Sequence, residues 1–262
     1  MRLKQKMKQG PVFGFAIFTG ALSVIETVGN WGYDFVYLDV EHTSIGVGPD
    51  LERQIMAARL AGISSVVRLT GTDEVDIRKV LEMGAEGVVI PHIRTKDEAA
   101  AIVRAAKFPP LGRRGAESNV RAAAFGGPGF NWPEYITKSN EESLIISMAE
   151  DFEFADNVDE ILSVEGIDAI NFGPIDYSLS SNLPIGYKID HPSLFDAYQK
   201  IETRARAKGI GIMCPVVPAT QENARDMIAK GVNMLILGND MHHLQAAFKN
   251  IMAECVEPIR RG

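Results

Sequence analysis

Short apolar runs rich in β-branched residues recur eight times along the chain, at residues 12–18, 35–40, 65–69, 87–91, 144–149, 168–172, 209–216 and 233–238. Their apolar positions are continuous rather than alternating, as in strands buried on both faces of a parallel sheet. Between them lie helical patterns with readable ends. Asp73 is placed to cap a helix that Gly84 follows, and Thr95-Lys96-Asp97-Glu98 has the form of a capping box whose helix stops before Pro109-Pro110. Pro192 can begin a helix through Arg206 with Gly209 just beyond it, and Gly231 closes the helix before the last run. Strand and helix alternating through eight cycles predict an α/β fold closed as a (β/α)8 TIM barrel, with an open doubly wound sheet as the alternative.

One connection breaks the rhythm. Residues 108–142 lie between the fourth and fifth runs and contain Pro109-Pro110, Gly112-Arg113-Arg114-Gly115 and Gly126-Gly127-Pro128-Gly129. A connection this long is usually functional or an interface element, which leaves open a lid over the barrel mouth, a subunit contact, or both.

Length and composition fit one barrel domain over residues 1–262. The chain has 262 residues, close to the ~250 typical of this fold. Hydrophobic residues at 46% supply a large core, and charged residues at 23% do not describe a disordered chain. A net charge of −7 gives no bulk attraction for a nucleic-acid backbone. Only Cys214 and Cys255 are present, which suits a reducing, cytoplasmic compartment. No apolar run approaches the ~18 residues of a membrane span, so no membrane partner is expected. The basic first ten residues lack the apolar stretch of a signal peptide and read as a short helix capping the barrel floor.

In barrels the chemistry gathers at the C-terminal strand ends. There the chain places Asp39-Val40-Glu41-His42, Arg68, His92, Glu150-Asp151, Gly173-Pro174-Ile175-Asp176 and Asn239-Asp240. Glu150 and Asp176 follow adjacent strands, which lie roughly 4.8 Å apart, so their carboxylates repel unless protons or a cation neutralise them. Two hard oxygen donors with open positions favour Mg²⁺, with Mn²⁺ or Co²⁺ as alternatives. Asp39 could orient His42 for proton transfer. Arg68, a cation on an apolar strand, calls for a carboxylate such as Glu41 or Glu82, a substrate oxyanion, or both. His92 is ambiguous. No lysine sits at a strand end, since Lys79, Lys96, Lys107, Lys200 and Lys230 fall in helices or loops, and this argues against a Schiff base. No GxGxxG or Walker-type loop points to a nucleotide cofactor.

The motifs Leu38-Asp39-Val40-Glu41-His42, Val66-Val67-Arg68, Pro109-Pro110-Leu111-Gly112-Arg113-Arg114-Gly115 and Phe172-Gly173-Pro174-Ile175-Asp176-Tyr177-Ser178 resemble the HpcH/HpaI aldolase family, in order and over nearly the whole chain. The resemblance implies a metal-dependent pyruvate aldolase on a barrel of the phosphoenolpyruvate/pyruvate superfamily. It implies Glu150 and Asp176 as metal ligands, Arg68 at the pyruvate carbonyl oxygen, and His42 with Asp39 as a dyad assisting proton transfer. Gly173, Pro174 and Ile175 match the loop whose backbone N–H groups receive the carboxylate, and Glu82 falls where an acid near the arginine is common. It also implies a homo-oligomer, commonly a hexamer, with the helix at 241–255 exchanged between subunits. Met148, Tyr177 and Asn171 depart from the pattern.

These readings predict reversible cleavage of a 4-hydroxy-2-oxo acid to pyruvate and an aldehyde through an enolate. The alternatives are another lyase on the same enolate logic, a decarboxylase or acyl-thioester lyase, or a non-catalytic barrel. The aldehyde itself is not legible in the residues.

Overall fold

A computed structural model describes residues 2–186 and 188–261. Eight strands run parallel and close into a barrel in sequence order. They are β1 (Val12–Ile17), β2 (Phe35–Asp39), β3 (Ser64–Arg68), β4 (Gly87–Ile90), β5 (Leu144–Ala149), β6 (Ala169–Phe172), β7 (Gly211–Pro215) and β8 (Met234–Asn239). All eight expected runs are strands, and β8 pairs with β1 to close the barrel.

The pleat sorts each strand between two cores. Phe35, Tyr37, Val66, Ile146, Met148, Met213 and Met234 fill the barrel interior. Val36, Leu38, Val67, Ile145, Ala149, Ile170 and Leu235 face the surrounding helices. Both faces are therefore apolar, which is why the runs are continuous. Gly14 of β1 makes room for the Phe35 ring, which a Cβ there would overlap.

The helix signals are realised. α4 (Glu74–Glu82) is capped by the Asp73 carboxylate, which accepts from the N–H groups of Val75 and Asp76. α5 (Lys96–Ala106) begins with the full Thr95/Glu98 capping box. The N-terminal helix α1 (Leu3–Gln9) drives Leu3 and Met7 into the barrel interior and plugs its floor. α2 (Leu22–Asn30), α3 (Pro49–Leu60), the short α7 (Phe152–Asp156) and α8 (Val158–Ile161), α10 (Pro192–Ala207) and α11 (Gln221–Ala229) complete most of the outer layer.

The long connection does not cover the mouth. It follows α5, which runs back from the C-terminal strand ends, so the connection begins at the opposite face. It carries one short 3-10 stretch (Arg121–Gly126) and α6 (Trp132–Glu142). Buried Lys107 ties its end to the floor by donating to the carbonyls of Asn140 (2.7 Å) and Ser143 (2.8 Å). Arg121 pairs with Glu52 of α3 at 3.0 Å. The lid reading is therefore corrected: the segment packs below the barrel and along its outer wall.

The last helix leaves the barrel. α12 (Asp240–Ile251) continues through a π-helical turn (Met252–Val256) into α13 (Glu257–Arg261), and nearly all of it beyond Asp240 is exposed. Among the described residues, no helix is long and apolar enough to cross a membrane.

Candidate active site

The mouth of the barrel is built around one guanidinium. Arg68 ends β3 with its side chain only 9% exposed, turned into the mouth above the Tyr37 ring (5.7 Å). Asp39, at the end of β2 in register with Arg68, is fully buried and pairs with it through both carboxylate oxygens. Glu41 holds the other edge, with Oε2 3.0 Å from Arg68 Nη1. Burial alone would lower the arginine's pKa, but Tyr37, Asp39 and Glu41 raise it, so the group is a fixed cation.

Asp39 does not orient the His42 imidazole, contrary to the dyad expectation. Its Oδ1 accepts the backbone N–H groups of Glu41 (2.8 Å) and His42 (3.1 Å), and the rest of its capacity goes to Arg68. The imidazole of His42 instead stands 3.6 Å from Glu41 and is 58% exposed. The physical reason is the pleat: Asp39 points inward, where a buried arginine needs a counter-charge, while the chain has already left the strand at His42.

Glu82 is a second correction. It lies at the end of α4, at the floor of the barrel, because a helix following β3 runs from the mouth back to the floor. Its electrostatic neighbours are Arg114 and Tyr135, not Arg68.

Glu150 follows β5 and is 2% exposed. Burial raises its pKa to about 7, and the nearby Glu41 and Asp176 push the same way. Asp176 sits in the first turn of α9 (Pro174–Ser180). The two carboxylates thus share one electrostatic site, as their strand-end positions predict. Gly173, directly before α9, approaches Glu150 so closely that a Cβ there would lie 3.1 Å from Glu150 Cβ and 3.3 Å from its Oε2. Among the described residues, no group of three or more His, Cys, Asp or Glu side chains converges as a ready-made metal cage.

The backbone donors of this loop are only partly free. The Gly173 N–H already donates to the Ala149 carbonyl at 3.2 Å, so it is not an open carboxylate receptor. Pro174 has no N–H and starts the helix. Ile175 remains, at a first-turn position whose N–H has no partner within the helix.

His92 belongs to the site, although its sequence position alone left it ambiguous. Its backbone adopts a left-handed conformation (φ 55°). Its N–H donates to Glu150 Oε1 at 2.8 Å, and its Nδ1 lies 3.0 Å from Asp151 and 3.5 Å from Glu150. Burial would lower its pKa, but these carboxylates and Glu41 raise it. Arg94 adds a second cation on Asp151 at 3.1 Å. By contrast, Asp240 at the end of β8 is structural: it accepts from the N–H groups of Phe18 (2.9 Å) and Thr19 (3.0 Å) and anchors the loop after β1.

A buried arginine held by two acids beside a pair of carboxylates, all at the C-terminal mouth of a barrel, suits an oxyanion on a small substrate. The sequence model of the HpcH/HpaI aldolase/citrate lyase family matches residues 19–247. The chain belongs to this family. It is 31% identical over 241 residues to a 4-hydroxy-2-oxovalerate aldolase of Novosphingobium aromaticivorans, covering 90% of this chain and 87% of that protein. It is 33% identical over 228 residues to a 5-keto-4-deoxy-D-glucarate aldolase of Salmonella gallinarum, covering 86% and 85%. Among solved structures, an HpcH/HpaI aldolase from Desulfitobacterium hafniense superposes with a TM-score of 0.89 at 27% identity, covering 98% of this chain and 97% of that one. The citrate synthase SbnG superposes with a TM-score of 0.83 at 29% identity, covering 96% of each.

As a member of the HpcH/HpaI family, the chain is a carbon–carbon lyase. Its departures from the family pattern fall at two depths. Met148 fills the barrel interior, its Cε 3.7 Å from where a Gly173 Cβ would stand. Asn171 donates to the Tyr37 hydroxyl at 3.3 Å, in the polar layer under Arg68. Tyr177 stacks on Phe172 outside the strands (5.5 Å) and belongs to the outer core.

Proposed function

We propose that this lyase is a divalent-metal-dependent aldolase that reversibly cleaves a 4-hydroxy-2-oxo acid to pyruvate and an aldehyde. The observation that carries the reading is Arg68, buried and charged, held by Asp39 and Glu41 beside Glu150 and Asp176.

The donor set fits a hard divalent cation, with Mg²⁺ preferred over Mn²⁺ or Co²⁺. A buried carboxyl with a strongly raised pKa and a second carboxylate acting on it is a site short of positive charge. Glu150 and Asp176 would hold the ion, which when bound supplies positive charge for the developing enolate.

The chain's own groups do the rest. Arg68 donates to the 2-oxo oxygen, where negative charge grows as the C3–C4 bond breaks. Asp39 and Glu41 fix its fork so that no reorganisation is needed at that moment. Ile175 N–H receives the substrate carboxylate, with the room left by Gly173 beside it. His42, exposed next to Glu41, accepts the 4-hydroxyl proton, the aldehyde leaves toward the open mouth, and return of that proton to C3 of the enolate gives pyruvate. His92 and Arg94 hold Asp151 and steady Glu150 through the His92 backbone.

Incubating the protein with 4-hydroxy-2-oxo acids of varied chain length, with Mg²⁺ or with a chelator, tests this. Pyruvate plus an aldehyde, released only with the ion, is expected. Carbon–carbon cleavage that yields no pyruvate would instead place the chain with the enolate lyases of other substrates, a reading the likeness to a citrate synthase keeps specific.

We also propose that the working form is a homo-oligomer, with a hexamer expected from the family likeness, in a cytoplasmic setting. The last helix supports the assembly: Met241, Leu244, Phe248, Ile251, Met252 and Ile259 are exposed at helical spacing, an apolar stripe that a second copy would cover. Light scattering of the whole chain checks this, and a monomer at micromolar concentration overturns it.

A further inference from the structure

The floor of the barrel holds a cavity of about 870 Å³ between α1, the start of β3 and the long connection. It lies at the face opposite the mouth. Its wall includes Arg114, which is 5% exposed.

The surroundings of Arg114 are unusual for a buried cation. The guanidinium lies over the Phe108 ring (4.7 Å), and one nitrogen donates to Ser139 Oγ at 3.1 Å. Nε and Nη2 have no hydrogen-bond partner among the described residues. The guanidinium also donates to the Tyr135 hydroxyl, and the Glu82 carboxylate acts on it through charge, but burial dominates and its pKa is lowered. A buried guanidinium without an ion pair is costly, and a planar fork is suited to a carboxylate or phosphate. The rest of the wall is biased the same way. Of its three carboxylates, Glu86 and Glu142 are tied to Arg2 at 3.2 and 3.1 Å, and Glu134 is exposed at the rim, against five lining cations. The exposed Arg59 and Lys138 line the rim.

We infer that this floor cavity is a second ligand site, taking a small oxyanion, a carboxylate or a phosphate, against Arg114 with Arg59 and Lys138 at its entrance. An anion lodged there pairs with Arg114 directly, where Glu82 acts on it only through charge. It also bridges α1, which plugs the barrel, to the connection that carries α6. The ligand would therefore stiffen the floor without touching the mouth. The inference does not depend on the aldolase reading.

Calorimetric titration of the whole chain with inorganic phosphate, and separately with malonate, at constant ionic strength tests it. Saturable binding of either probe at one per chain is expected, and the probe that binds names the class. Two variants separate this site from Arg68 at the mouth. Arg59→Glu with Lys138→Glu, both on exposed positions, should weaken binding by about tenfold or more while cleavage activity is unchanged. Arg114→Lys, which keeps the charge but removes the fork, should weaken it too. If Arg114→Lys does not fold, the rim variant decides alone. No saturable binding of either probe, or undiminished binding in the rim variant, overturns the inference.

Discussion

The carboxylate of Asp39 closes on the guanidinium of Arg68 and leaves the imidazole of His42 to Glu41, 3.6 Å away. This separates two roles that a shared dyad would merge. Asp39 is a positioning residue under the arginine, and His42 works at the surface. Asp39→Ala leaves the buried Arg68 with Glu41 alone, so it should cost stability, up to the about 3–5 kcal/mol of a broken buried pair, as well as activity. His42→Ala should lower turnover and leave the melting temperature unchanged. Denaturant unfolding and steady-state rates on the two variants check this. Equal stability losses would contradict the division.

Gly173→Ala is a finer probe of the same mouth. The new Cβ would stand 3.1 Å from Glu150 Cβ and 3.3 Å from its Oε2, so the carboxylate must shift by a few tenths of an ångström. Overpacking of this kind typically costs about 1–3 kcal/mol. The larger expected effect is on divalent-ion affinity and turnover, because the displaced atoms are the ones that would face the ion. Calorimetry with Mg²⁺ measures the first, and pyruvate release the second. An unchanged ion affinity would mean that Glu150 does not hold the ion.

Much of this site is legible in the sequence. Strand ends could be located from the continuous apolar runs, and that alone put Glu150, Asp176 and Arg68 on one face. What was not legible is direction. Whether Asp39 meets Arg68 or His42 depends on which side of the pleat each residue takes where the chain leaves the strand, and a shift of one position reverses it. His92 enters the site through a left-handed backbone turn that no local spacing announces. Two of the departures had an available signal. Glu82 ends a helix that runs from the mouth back to the floor, and the 108–142 connection starts where another such helix ends, which disfavours the lid among the alternatives left open for it.

The raised pKa of Glu150 makes stability depend on pH when no divalent ion is bound. Its folded-state value of about 7 lies above its ordinary 4.5, so between these pH values the folded protein binds more protons than the unfolded chain. Stability is therefore full below 4.5 and falls as pH rises through 7. Glu41, also raised by burial, adds in the same direction. In chelator the melting temperature should drop between pH 5 and 8, and Glu150→Gln should flatten most of that slope. Mg²⁺ should raise the melting temperature more at pH 8 than at pH 5, because protons compete with the ion for the carboxylate. A pH-independent Mg²⁺ effect would contradict this assignment.

Lys107 predicts the opposite slope at the other end of the pH scale. It is 2% exposed, and burial lowers its pKa from 10.5 to about 8 although Asp168 opposes the shift. Below pH 8 the amine is protonated in both states and contributes no slope. Between about pH 8 and 10.5 the unfolded chain keeps the proton while the folded protein releases it, so the unfolded state binds more protons and stability rises with pH. Tyrosines whose pKa values burial raises, such as Tyr37 and Tyr198, give a falling contribution only above the ordinary tyrosine value of 10. The lysine's effect is therefore isolated by comparison with Lys107→Met, which removes the titration and also the two donors to Asn140 and Ser143. The stability difference between wild type and this variant should grow in favour of wild type from pH 8 to 10. A constant difference across that window would show that Lys107 keeps an ordinary amine pKa, and that the floor is wetter than its burial indicates.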